Sequence, residues 1–130
     1  MNCESDLTLL TSSPRTLLLV EDEPLLRALL SEVLREAEFA VVEADDGNEA
    51  MHALDHQRPQ ILVTDIELPG SLDGLAIARR ARAHSLSLAI ILISGRARPP
   101  VNLMPAKSKF LAKPFLPSRL IGVIASLTAG

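Results

Sequence analysis

Four polar motifs each close or follow an apolar run, and their side chains suit one kind of chemistry. Glu21-Asp22-Glu23 follows Thr16–Val20, Asp65 ends Ile61–Asp65, Ser94 ends a third run, and Lys113-Pro114 follows a fourth. A carboxylate such as Asp65 can attack phosphorus. An adjacent acidic pair can hold a hard divalent cation, and a lysine and a hydroxyl can neutralise and bond the phosphoryl oxygens. Phosphoryl transfer asks little more of a protein than this positioning and charge compensation. The set therefore reads as a site that receives a phosphoryl group on Asp65.

The elements that must hold these residues alternate in type. Thr16–Val20 is a short apolar strand, and Pro24 then suits the first turn of a helix after acidic residues fit for capping. Leu25, Leu26, Leu29, Leu30, Val33, Leu34 and Ala37 recur at helical spacing. Ala40–Ala44 reads as an edge strand, Asn48–His56 as a helix, and Ile61–Asp65 as a buried strand. Asp73 can cap a helix running to about Ala83, Leu88–Ile93 is the most apolar strand, Phe110–Ala112 is a fifth, and Pro117–Leu127 is a last helix. Strands apolar on both faces and separated by helices predict a doubly wound α/β fold with a parallel sheet. Ligands in such folds gather beyond the carboxyl ends of the strands, where the four motifs stand.

One segment breaks the alternation. Pro99, Pro100 and Pro105 lie between Ser94 and Phe110. A proline inside a helix costs about 3 kcal/mol, so the fourth helix is expected to be short or absent.

Bulk properties narrow the classes. A chain of 130 residues with 48% hydrophobic and 22% charged residues suits one globular domain, expected over residues 15–130 behind a flexible tail at 1–14. The net charge of −3 offers no reason to expect nucleic-acid binding. The only cysteine, Cys3, cannot form an intrachain disulfide, no run is long and apolar enough to span a membrane, and the N-terminus lacks a basic signal region. A cytoplasmic protein without membrane association is the expectation.

The motifs Leu19-Val20-Glu21-Asp22-Glu23, Thr64-Asp65-Ile66-Glu67-Leu68-Pro69-Gly70 with Asp73-Gly74-Leu75, Ile93-Ser94-Gly95 and Ala112-Lys113-Pro114-Phe115 resemble those of bacterial two-component receiver domains. The resemblance runs from about Thr16 to the end. It implies a flavodoxin-like five-stranded sheet of order 2-1-3-4-5 and a single-domain response regulator that accepts a phosphoryl group from a histidine kinase or phosphotransfer protein. Asp65 would be the phosphoacceptor. Mg²⁺ would be bound by Asp22, Asp65 and the Glu67 carbonyl, with Glu21 acting through water. Lys113 would neutralise the phosphoryl group from a cis Lys113–Pro114 peptide. Ser94 would bond a phosphoryl oxygen, with Phe110 as an aromatic switch or simply a core residue. Glu67 and Arg96 could pair over the phosphoryl group and slow its hydrolysis.

The expected outcome is signalling by contact with an unknown downstream protein, or service as a phosphate shuttle or sink, with no turnover of an external substrate. A phosphorylation-independent interaction module remains the alternative. An aspartate-nucleophile phosphatase is a third reading, although such enzymes resemble Asp-x-Asp after the first strand. The loop Pro69-Gly70-Ser71-Leu72-Asp73-Gly74 is about one residue longer than the family's usual form, and Arg79, Arg80 and Arg82 read as a solvated helix face.

Overall fold

Runs of leucine, isoleucine and valine that are apolar on both faces can be satisfied only between two covering layers, and they form the centre of one sheet. In the computed structural model, which describes residues 14–128, the inner strands are β1 (Thr16–Val20), β3 (Ile61–Asp65) and β4 (Ala89–Ser94). The edges are β2 (Ala40–Ala44) and β5 (Ser108–Ala112), giving a parallel order β2-β1-β3-β4-β5. The expected sheet order and wound topology are both present. The flexible tail assigned to residues 1–14 lies, up to residue 13, outside the described residues.

Alternation along the strands divides the core in two. Leu18, Val20, Leu62, Ile90 and Leu92 face a layer built by α2 (Gly47–Gln57) and α3 (Gly74–His84). Leu17, Leu19, Ile61, Val63, Ile91 and Ile93 face α1 (Pro24–Glu36) and α4 (Pro117–Thr128). Each fully buried aliphatic side chain contributes roughly 1.5–3 kcal/mol, so these strands supply most of the apolar driving force. The register brings the strand ends level: Val20 lies beside Thr64, Asp65 beside Ile93, and Ser94 beside Ala112.

Local signals set the helix starts, with one correction. Asp46 and Asp73 cap α2 and α3 by accepting from the N–H groups of Glu49 and Ala76. The acidic cluster before α1 does not cap it: Glu23 is the N-cap but makes no side-chain bond, and Pro24 opens the helix instead. Nor are all the apolar positions of α1 inward, since Leu25 is 81% and Leu29 52% exposed. Gly74 is required where it stands, because a Cβ there would collide with the Asp65 carbonyl. Its absence lets α3 begin against the end of β3.

The connection between β4 and β5 contains no α-helix. Only a single 3₁₀ turn, Val101–Leu103, forms among its prolines, as expected. A buried cation organises this segment. The guanidinium of Arg82 donates from Nε to the Ala106 carbonyl (2.8 Å) and from its two terminal nitrogens to Ser85 (2.9 Å) and Lys107 (3.2 Å). Burial lowers its pKa from the usual arginine value. Arg82 is therefore not part of a solvated face, although Arg79 and Arg80 are exposed.

Arg82→Ala would leave these carbonyls without their donor, which costs about 1–3 kcal/mol where the acceptors stay dry. Urea denaturation should show that loss, with faster amide exchange around Lys107. Arg82→Lys should not restore either property, because an ammonium cannot span three separate acceptors.

Candidate phosphoacceptor site

The level strand ends bring three acidic residues together. Glu21 and Asp22 follow β1 and Asp65 ends β3, and carboxylate oxygens from all three lie within 4.8 Å of one another. Glu21 is 2% and Asp65 4% exposed, while Asp22 faces solvent. Backbone donors help hold the charge: the Glu67 N–H donates to Asp65 Oδ1 (3.1 Å) and the Glu23 N–H to Glu21 Oε2 (3.2 Å).

Lys113 reaches the group from the end of β5. Its Nζ donates to Asp65 Oδ2 at 2.9 Å and to Glu21 Oε1 at 3.1 Å, and the Lys113–Pro114 peptide is cis. The Lys113 N–H bonds the Ser94 carbonyl (2.8 Å), which ties the lysine to the end of β4. Burial acts to lower the Lys113 pKa, but the bonds to Asp65 and Glu21 hold it above its ordinary value. Burial lifts the Glu21 carboxyl above its usual range, outweighing the Glu23 N–H and Lys113, and the Asp65 charge adds to the rise. The ammonium thus offsets the repulsion between two buried carboxylates while leaving the cluster electron-rich.

Ser94 is brought to the rim, but its hydroxyl is engaged elsewhere. Its Oγ donates to Glu67 Oε2 (2.6 Å) and accepts from the Arg96 N–H (2.9 Å). The Gly95 N–H also approaches Glu67 Oε1 (3.4 Å). No Glu67–Arg96 ion pair forms among the described residues without a phosphoryl group between them; the Arg96 main chain, not its side chain, joins the network. Ser94 is the donor that attracts the Glu67 carboxylate instead. Phe110 is half-buried against the α2–α3 layer, with the Arg98 guanidinium 6.0 Å from its ring centre.

Arg27 supports the site without a motif to mark it. Its guanidinium donates to the Glu21 carbonyl (2.7 Å) and pairs with Glu43 of β2 (3.3 Å), fixing the backbone that carries the acidic pair. The only hint in sequence was a cation on the first turn after an acidic cluster.

A lysine-bridged carboxylate cluster on the carboxyl edge of a doubly wound sheet is a site fit to hold a divalent cation beside a phosphoryl group. The chain belongs to the response regulator receiver domain family, whose model matches residues 17–125. It is 35% identical over 104 residues to the response regulator receiver protein CpdR of Brucella abortus, covering 78% of this chain and 86% of that one. A response regulator receiver protein from Sinorhizobium medicae has a solved structure that is 31% identical, with a TM-score of 0.83 over 88% of this chain and 94% of that one. The receiver domain of a sensor histidine kinase from Pseudomonas aeruginosa is 26% identical with a TM-score of 0.76, covering 90% and 99%, and that structure holds a coordinated magnesium ion in its active-site cleft. The chain spans only 35% and 55% of the length of the transcriptional regulators of Mycobacterium tuberculosis that it matches. Family membership classes it as a signal-transduction receiver domain. No helix among the described residues is long and apolar enough to cross a membrane.

The buried Glu21 carboxyl has a stability signature. A carboxyl whose folded pKa lies above its ordinary value of 4.5 contributes stability that is present below pH 4.5 and is lost as pH rises through the folded value. Glu21→Gln should therefore raise stability at neutral pH by on the order of 1 kcal/mol in the presence of a chelator. The gain should shrink toward pH 4.5 when urea midpoints are compared.

Proposed function

We propose that the chain accepts a phosphoryl group on Asp65 from a phosphohistidine donor in a Mg²⁺-dependent reaction and signals through contact with another protein. The observation that carries this reading is the Lys113 ammonium bonded at once to Asp65 and Glu21 beside Ser94. The oxygen donors of Glu21, Asp22 and Asp65 fit a hard divalent cation, and the magnesium in the Pseudomonas aeruginosa relative supports that choice. In this reading Asp22, Asp65 and the Glu67 carbonyl hold the ion, with Glu21 behind it. When bound, Mg²⁺ supplies charge compensation to the phosphoryl oxygens.

The rest follows from the chain's own groups. An Asp65 oxygen attacks phosphorus as the donor P–N bond breaks, leaving an acyl phosphate and a free imidazole. Lys113 shifts its hydrogen bonding from the carboxylate to the new phosphoryl oxygens. Ser94 can donate to the same group only by giving up Glu67, since its hydroxyl has a single proton. Glu67 thus acts as the resting acceptor that the phosphoryl group must outcompete, and in this reading Phe110 responds to the displacement of Ser94. Exposed Leu25 and Leu116, near Glu23 and Lys113 along the chain, offer apolar contacts to a histidine kinase or phosphotransfer protein in this reading. Residues 15–130 make up the responding domain in this reading. The site's completeness favours it over a phosphorylation-independent module.

The decisive experiment treats the chain with Mg²⁺ and acetyl phosphate, then with beryllofluoride, and follows intact mass and amide spectra. A single adduct that requires Mg²⁺ and vanishes in Asp65→Asn is expected. A lack of adduct would instead support the interaction module, and sustained turnover of phosphoesters a phosphatase. Glu67→Ala frees the Ser94 donor, and one hydrogen bond's competition predicts about a threefold to tenfold higher steady-state phosphorylation. Quantifying phosphorylated and free chain at fixed acetyl phosphate measures it.

A further inference from the structure

Two features of the chain meet at the amino ends of the strands, opposite the phosphoacceptor. The first is a groove of about 500 Å³ between the C-terminal ends of α2 and α3. Met51, Leu54, Pro59 and Leu88 line it with buried or half-buried apolar surface, and exposed Arg58 and Gln60 stand at its rim. Arg58 closes α2 with a φ of 45°, in the left-handed region that glycine usually fills, so a cation stands where the backbone alone asks for none. The second feature is in the sequence. Residues 1–13 lie outside the described residues; they are mostly polar but contain Leu7-Thr8-Leu9-Leu10, with Glu4 and Asp6 just before it. Three leucines within four residues gain free energy only where they leave water.

The fold brings the start of β1 to the groove. Gln60, at the rim, is bonded twice to Thr16: the Thr16 N–H donates to Gln60 Oε1 (3.0 Å) and the Gln60 N–H to the Thr16 carbonyl (2.9 Å). By strand alternation Thr16 shares a face with Leu18 and Val20, the face that α2 and α3 cover. Leu10 precedes Thr16 by six residues, a span of about 20 Å when extended, which puts the groove within the segment's reach.

We propose that Leu7, Leu9 and Leu10 of the chain's own N-terminal segment dock in this groove. Their side chains would cover Met51, Leu54 and Leu88, and Arg58 would meet Glu4 or Asp6. Asp55 on the same rim offsets part of that attraction, so apolar burial carries the contact. A second copy competes poorly for the groove, because a short tether gives the chain's own segment an effective concentration on the order of millimolar. The docking stands apart from the chemistry assigned to Asp65.

Cys3, the chain's only cysteine, provides the probe. A nitroxide spin label on Cys3 of the full, isotope-enriched chain should broaden the amide signals of Leu54, Arg58 and Leu88 more than those of exposed residues on α1, and the effect should persist in added salt. The variant Leu7→Ser/Leu9→Ser/Leu10→Ser, which alters no residue of the described fold, should lose that broadening. Leu54→Gln, checked for an unchanged melting curve, should lose most of it. The proposal is overturned if the label leaves these amides sharp, if the serine variant keeps the broadening, or if salt abolishes it. It is overturned too if labelled chain without isotope broadens the same amides of unlabelled enriched chain, which would assign the groove to a second copy.

Discussion

The shared ammonium of Lys113 is the interaction on which the rest of the molecule converges. Asp65 and Glu21 are both almost fully buried, and two carboxylates taken out of water so close together repel each other unless a cation answers both. One lysine can do so only if the end of β5 lies level with those of β3 and β1. That alignment is a property of the whole sheet. It needs the parallel register from β1 through β4, the bond from Lys113 N–H to the Ser94 carbonyl, and a connection that returns the chain to β5 in the right place. Arg82 fastens that connection from below through three backbone carbonyls. The polar site at one end of the sheet therefore depends on a buried cation at the other side of β5.

Much of this was legible in the sequence because the signals were one-dimensional. Strands apolar on both faces announce a covered parallel sheet, and their last residues announce what it presents. Three prolines within seven residues forbid a helix whatever surrounds them. What stayed hidden involved partners without a side-chain signature. Arg82 looks like Arg79 and Arg80 in a list of letters, and its acceptors are carbonyls that any residue carries. Glu67 could have met Arg96 or Ser94, and only the folded geometry, in which Ser94 Oγ lies 2.6 Å away, decides between them. The exposure of Leu25 and Leu29 was also illegible, since helical spacing tells which residues share a face but not how wide the covered stripe is.

The two halves of the chain divide their labour by charge. All 16 acidic residues lie within residues 1–73 and supply the oxygen donors at the strand ends, while the acid-free remainder supplies the one lysine that crosses to them. Lys113 is thus the point at which the positive half of the fold enters the negative half.

The Arg82 clamp has a further consequence for how the molecule meets changes of acidity. A guanidinium begins so far above neutrality that burial, although it lowers the pKa, leaves it charged throughout the range in which the carboxylates titrate. The loop it fastens is consequently anchored by a bond that acidity cannot loosen. Burial, in contrast, shifts the proton uptake of Glu21 upward from the usual carboxylate range. The two ends of β5 are thus held by contacts that answer acidity differently: the Arg82 clamp keeps its charge, while the Glu21 partner of Lys113 does not.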